Sequence, residues 1–154
     1  MQTSDVVIIG GGVIGCSIAY HLAKRGIPAH VIERDDIAMG SSGACDKAVL
    51  LQSKNPGIHL ELALKSVKMF PELQKELDTD IEFLNHGGMI AIQNEKQWQV
   101  MEGFVERQRK VGLDVRLVDK DQARALQPAF SGDIIGSTYS PMDCEANPIY
   151  LSLG

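Results

Sequence analysis

Val6-Val7-Ile8-Ile9-Gly10-Gly11-Gly12-Val13-Ile14-Gly15 is the stretch that decides how this chain folds. Four β-branched residues running into glycine read as a short, fully buried parallel strand. Beyond the glycines, Ile14, Ile18 and Leu22 recur every four residues on one helical face. Lys24 and Arg25 suit the negative end of that helix, and Gly26 is a natural stop. Pro28-Ala29-His30-Val31-Ile32 then reads as a second strand ending at Glu33. The expected unit is strand, helix, strand.

Gly10, Gly12 and Gly15 make the pattern GxGxxG. The first glycine permits a sharp turn out of the strand. The second leaves space for a pyrophosphate to approach the backbone, and the third lets the helix lie close to the strands. Free amides of Gly11, Gly12, Val13 and Ile14 at the helix start, with the positive end of its dipole, suit a phosphate. GxGxxG alone is a weak signal. Here it follows a strand, opens a helix and is answered by Glu33, placed to accept from ribose hydroxyls and to repel a 2′-phosphate. Arg34 follows the acid directly.

FAD and NAD share this half-site, and an NAD-binding dehydrogenase domain is the alternative enzyme reading. An NAD fold normally runs from the second strand into another crossover helix. Here Gly40-Ser41-Ser42-Gly43-Ala44-Cys45 follows instead. A loop of small, hydroxyl-bearing residues suits a longer, extended cofactor, with Ser41 and Ser42 donating to pyrophosphate oxygens. FAD is therefore the expected cofactor.

The remainder is less regular. His59 to Leu77 has a helical pattern that Pro71 is expected to break. Ile81–Leu84 and Met89–Ile92 read as a hairpin turning through Asn85-His86-Gly87-Gly88. Asn94 with Gln97 caps a helix to about Lys110 that Gly112 closes. Val115–Val118 and Ile134–Tyr139 read as strands, and Asp119 with Gln122 caps a short helix ending before Pro128. The fold class is α/β: a Rossmann-like FAD-binding βαβ unit, then part of a mixed α+β substrate domain. The boundaries drawn are 1–80 for the cofactor domain, 81–142 for part of the substrate domain, and 143–154 for the return toward the first.

Composition narrows the function. Fifteen Lys and Arg against twenty Asp and Glu give a net charge of -5, which argues against a nucleic-acid partner. Cys16, Cys45 and Cys144 are scattered and lack CxxC spacing, so neither a disulfide framework nor a metal site is expected, and a reducing cytoplasm fits. The apolar start lacks the basic flank of a signal peptide, and no run is long enough for a membrane span.

With these residues in place, the sequence resembles the D-amino-acid-oxidase-like family of FAD-dependent oxidoreductases. The specific stretches are 6–15, Val31-Ile32-Glu33-Arg34 and Gly40-Ser41-Ser42-Gly43-Ala44. Within that family the sequence is most similar to the sarcosine oxidase beta, glycine oxidase and hydroxyproline dehydrogenase branch. The resemblance implies oxidation of the C–N bond of a small amine or amino acid by hydride transfer to flavin. It also implies other subunits where the enzyme is heteromeric, and a longer chain of which this is the N-terminal part. No catalytic residue is assigned. Arg107, Arg109 and Arg116 read as solvated, His21 and His30 as structural, and His86 as the histidine to test near substrate. Cys45 reads as a buried, inert thiol, and Trp98 and the methionines as core. A non-catalytic nucleotide-binding subunit is the remaining alternative.

Overall fold

The computed structural model describes residues 4–154. In chain order the elements are β1 (Val7–Ile9), α1 (Val13–Ala23), β2 (His30–Ile32), α2 (Ser41–Ala44), β3 (Ala48–Val49), α3 (Ile58–Val67) and α4 (Phe70–Glu76). Then follow β4 (Gly88–Ile92), α5 (Glu95–Val111), β5 (Arg116–Asp119), α6 (Lys120–Leu126), β6 (Gly136–Ser140), β7 (Cys144–Glu145) and α7 (Pro148–Leu153).

The chain divides into two compact units. The first comprises the described residues up to Lys47 together with Pro71–Phe83 and Ala146–Gly154. In it β1 and β2 pair in parallel, Val7 opposite His30, Ile8 opposite Val31 and Ile9 opposite Ile32. This is the expected strand–helix–strand unit, and α1 ends before Gly26, whose φ of +70° favours glycine. The strand is not buried on both faces. Ile8 is 8% exposed, facing Gly15 of α1, whereas Val7 and Ile9 on the other face are 52% and 89% exposed. A two-stranded sheet with one helix has only one face to cover.

The second unit comprises Ala48–Phe70 and Leu84–Glu145. Its main sheet is antiparallel in the order β4-β6-β5. On one face Val118, Ala123 and Ile134 form a buried cluster against which Met89, Phe130 and Tyr139 pack. The other face holds buried Thr138, whose hydroxyl bonds the carboxamide of buried Gln52. Helix caps match their sequence signals closely. Asp119 and Gln122 form the full capping box on α6. Asn94 accepts from Gln97 N–H at 3.0 Å on α5, while Gln97 Oε1 reaches back to Gln93 N–H rather than to Asn94. Gly112, at φ +102°, closes that helix.

Two readings change. The hairpin of 81–84 with 89–92 does not form. β4 pairs with β6 from Gly88↔Ser140 to Ile92↔Gly136, and Leu84 bridges Glu145 instead. Gly87 N–H also bonds Asp143 O at 3.1 Å, so the segment before β4 runs along the 143–145 stretch and never turns back on itself. Second, 40–45 is not an open loop, because Ser41–Ala44 forms a short helical turn. The break expected at Pro71 is present: residues 68–69 separate α3 from α4, and Pro71 is the second residue of α4, where its missing N–H costs nothing. Ala48–Phe70 packs with the sheet, held there by Leu51 and Gln52 N–H bonds to Asp143, and the chain rejoins the first unit at Ala146.

Candidate cofactor-binding site

The bend at the C-terminal end of β1 begins at Gly10, whose φ of +106° lies in the glycine region. Its N–H still bonds Ile32 O at 2.8 Å, so the parallel pairing continues up to the turn. Gly15 is buried in the first turn of α1. A Cβ there would stand 1.9 Å from Gly10 O and 3.3 Å from Ile8 Cγ2. Helix and strand therefore meet backbone to backbone, the packing that the third glycine was expected to allow.

Glu33 closes onto this bend. Its Oε2 accepts Gly11 N–H at 2.6 Å, and its Oε1 accepts the N–H groups of Arg34 at 2.6 Å and Asp35 at 3.1 Å. These donors, Gly11 first, hold its carboxyl below the usual Glu range. The sign follows directly. A lowered pKa in the folded chain means the ionised form stabilises the bend above the ordinary carboxylate range, and that contribution is lost as pH falls through the lowered value. Ligand binding at the bend is thus expected to survive mild acid in the wild type, with Glu33→Gln showing a flatter acid limb in a binding titration across pH.

The 37–43 segment is tied to the same bend. Ala38 is 1% exposed with φ +64°, an uncommon conformation for alanine. Its N–H bonds Gly11 O at 2.9 Å and its carbonyl accepts Gly43 N–H at 2.6 Å. That arrangement sets Ser42 over the start of α1, where Val13 N–H donates to Ser42 Oγ at 3.0 Å. A Cβ on Gly12 would meet the same Oγ at 3.0 Å.

The structure therefore gathers Gly10, Gly11, Gly12, Val13, Gly15, Glu33, Ser42 and Gly43 around one bend. Ile14 is 75% exposed on α1, and the exposed Arg34 side chain pairs with Asp35 at 3.2 Å. Ser41, Ala44 and Cys45 are exposed, so Cys45 is not the buried thiol expected; its Sγ lies 3.1 Å from Ser42 O. Cys144 is the buried cysteine, its thiol pushed up to about 11 by burial and then by Asp143. Sequence reasoning missed Ile37 and Ala38. Ile37 lies over Gly11, where a side chain on that glycine would meet its Cδ1 at 2.6 Å. Nothing in the local pattern announces a left-handed alanine.

Elsewhere, His21, His30 and His86 are exposed, as are Arg107, Arg109 and Arg116, the last over the Tyr139 ring at 5.0 Å. Trp98 is half-buried against Gly136. Met89 packs at the core, but Met39 and Met69 are exposed, contrary to expectation, and Met1 lies outside the described residues. Among the described residues no three His, Cys, Asp or Glu side chains gather as metal ligands would, and no helix is long and apolar enough to cross a membrane.

The residues at the bend fit the adenosine-diphosphate half of a dinucleotide: a glycine turn without side chains, a helix start and a ribose-type carboxylate 2.6 Å from the turn's amide. Comparison with known proteins agrees. The mouse regulatory subunit of mitochondrial pyruvate dehydrogenase phosphatase is 28% identical over 142 residues, covering 91% of this chain and 16% of that protein. Glycine oxidase from Bacillus cereus superposes with a TM-score of 0.87 at 33% identity, covering 98% of this chain and 42% of the other. L-proline dehydrogenase from P. horikoshii superposes at 0.88 and 26% identity, covering 99% and 40%. The chain thus spans less than half the length of these relatives. A family description of FAD-dependent oxidoreductases, DAO, matches residues 5–153, and the chain belongs to that family.

Proposed function

We propose that this chain binds the adenosine-diphosphate part of FAD at the Gly10–Gly15 bend and forms part of an enzyme that oxidises the C–N bond of an amino acid or secondary amine. Glycine, sarcosine, proline and hydroxyproline define the substrate class. When bound, FAD supplies the acceptor for hydride from the carbon beside the amine nitrogen. This chain's residues contribute binding and orientation. The α1 N-terminus supplies positive potential to the diphosphate. Glu33 Oε2 keeps one acceptor site beyond its Gly11 donor, enough to accept from a ribose hydroxyl, while Oε1 is filled by Arg34 and Asp35 N–H. Its fixed negative charge opposes a 2′-phosphate. Arg34, Ser41, Gly43, Ala44 and Cys45 complete the proposed cofactor-binding set with the bend residues. The domain boundaries drawn from sequence, with 1–80 as cofactor domain, are part of the same proposal, as is a reducing, cytoplasmic setting.

The observation that carries this reading is the 2.6 Å contact of Glu33 Oε2 with Gly11 N–H, which joins the ribose-type acid to the glycine turn across 22 residues of sequence. The test is the flavin absorbance of the protein purified from its complete reading frame. Yellow protein whose flavin content drops several-fold in Glu33→Ala is expected. Colourless protein that binds NAD in calorimetry would reverse the assignment.

A second reading, a flavin-holding subunit without catalysis, is favoured by the relative whose name is that of a regulatory subunit. Anaerobic bleaching of the flavin by glycine, sarcosine or proline separates the two, since a non-catalytic subunit keeps its colour. Other subunits of a heteromeric dehydrogenase are partners consistent with either reading.

A further inference from the structure

The Asn147 amide faces two ways. Its Oδ1 accepts the N–H groups of Ile149 at 3.1 Å and Tyr150 at 3.3 Å, capping α7. Its Nδ2 donates at 2.9 Å to Glu82 Oε2, an oxygen that also pairs with Lys47 Nζ. The backbone keeps the two segments in register, because Asn147 N–H bonds Ile81 O at 2.8 Å. Glu82 is held there against its backbone preference. Its φ is +53°, a region that residues other than glycine rarely occupy, and Asp80 Oδ1 pins its N–H at 2.8 Å. Lys47, and then Asn147, hold the Glu82 carboxyl below the usual Glu range, so it stands ionised beside the amide. An ionised carboxylate can only accept, which decides which end of the Asn147 amide faces it and leaves the amide oxygen for the helix.

Helix α7 packs against α1 and α2. Ile149 Cγ1 lies 3.8 Å from where a Cβ on Gly43 would stand, in ordinary contact with the α2 turn. Gly43 N–H bonds Ala38 O at 2.6 Å, and Ala38 N–H bonds Gly11 O at 2.9 Å. A continuous line of contacts therefore runs from the Glu82 carboxylate through Asn147 and α7 to the glycine bend, all of it inside the first unit.

We propose that Glu82 and Asn147 form a positioning pair for the cofactor site. The carboxylate orients the Asn147 amide, the amide sets the start of α7, and α7 seats the 40–45 turn on the glycine bend. The pair rests on the FAD reading above and extends it to two residues that act without touching the cofactor.

The test reverses the polarity of the pair. Asn147→Asp keeps a good cap for α7 but sets a second carboxylate against Glu82. Adding Glu82→Gln restores the hydrogen bond with donor and acceptor exchanged, and leaves one negative charge beside Lys47. Apo-protein from the complete reading frame is titrated with FAD, followed by flavin fluorescence, at a temperature where melts show each variant folded. Coupling within a contacting, hydrogen-bonded pair is roughly two- to a hundredfold in an equilibrium constant. Asn147→Asp is expected to weaken FAD binding about tenfold, and the double variant to return to within about threefold of wild type. A folded Asn147→Asp that binds FAD like wild type would show that the pair serves stability alone, and would overturn the proposal. A double variant as weak as Asn147→Asp would overturn it too, because the loss would then not come from the hydrogen bond. If Asn147→Asp does not fold, Asn147→Ser decides, since serine caps α7 without an amide to give Glu82. Wild-type FAD affinity in that variant contradicts the pair, and weakened affinity supports it. A wild-type protein that takes up no FAD would sink the FAD reading along with the pair, whereas FAD binding indifferent to residues 82 and 147 removes the pair alone.

Discussion

Replacing Gly15 by alanine is expected to unfold the glycine bend and abolish cofactor retention together. The added methyl would sit 1.9 Å from Gly10 O and 3.1 Å from Gly10 C, both backbone atoms. Ordinary contact needs roughly 3.5 Å, so helix or strand must shift by more than an ångström. Neither can do so cheaply. Gly10 is pinned through its N–H to Ile32 O, and Ile8, two residues earlier, fills the space beside Gly15 at 3.3 Å. Moving α1 would also carry Val13 N–H away from Ser42 and disturb the Gly11 contact with Glu33. Overpacking of this kind costs about 3 kcal/mol, which for a chain of this size lowers the Tm on the order of 10 °C. Gly12→Ala is the informative contrast. Its methyl would meet only the Ser42 hydroxyl at 3.0 Å, and a side chain can rotate where a backbone carbonyl cannot. Thermal melts and flavin content measured on both variants check the ranking. A Gly15→Ala protein that melts with wild type and stays yellow would contradict the backbone-to-backbone packing.

That contrast also shows what the sequence could and could not disclose. The parallel βαβ unit was legible because its signals are local: an apolar run, glycines at fixed offsets, a helical repeat and an acid after the next strand. Capping boxes were legible for the same reason, since Asp119 and Gln122 lie within one helical turn. Strand pairing was not. Residues 81–84 and 89–92 are neighbours in sequence with glycines between them, yet β4 found its partner just over fifty residues away, at Ser140 opposite Gly88. No local pattern encodes that choice, because it depends on which apolar faces remain to be covered. The site shows the same limit. Glu33 and the glycines follow a spacing rule, whereas Ser42 reaches α1 only through the left-handed Ala38, a conformation that its residue type does not advertise. Burial of β1 was misjudged because four β-branched residues specify a strand without saying how many of its faces will be covered.

Asp143 is the position where the second unit is expected to be most sensitive. Its carboxylate is fully buried and accepts three hydrogen bonds from neutral donors: Oδ1 from Leu51 N–H at 2.8 Å and Gln52 N–H at 3.3 Å, and Oδ2 from Gln52 Nε2 at 2.5 Å. Gln52 in turn accepts from Thr138 Oγ1, and its backbone carbonyl accepts from buried Gln108 Nε2 at 2.9 Å. One carboxylate thus fixes the 51–54 segment to the sheet. Asp143→Ala would leave three buried donors without partners. Each orphan costs about 1–3 kcal/mol, partly offset by removal of a buried charge, so a net loss of about 3 kcal/mol is expected. Asp143→Asn should cost far less. Its amide oxygen still accepts from Leu51 and Gln52, and a flipped Gln52 carboxamide can accept from the new NH2 while Thr138 turns to accept. The pH dependence separates charge from shape. Burial raises the Asp143 carboxyl above its ordinary range, outweighing the hydrogen bonds that lower it, Gln52 first. A raised folded-state pKa means that the native chain binds this proton more tightly than the unfolded chain does. Stability from that preference is present below the ordinary Asp range and is lost as pH rises through the raised value. Neighbouring Cys144, held near 11, stays neutral throughout that window. Wild type should therefore lose Tm relative to Asp143→Asn as pH rises above the ordinary Asp range, in melts run at matched ionic strength. Parallel curves for the two proteins would show that the carboxylate does not titrate in the fold, and an Asp143→Ala protein as stable as wild type would show that the 51–54 segment is held by something else.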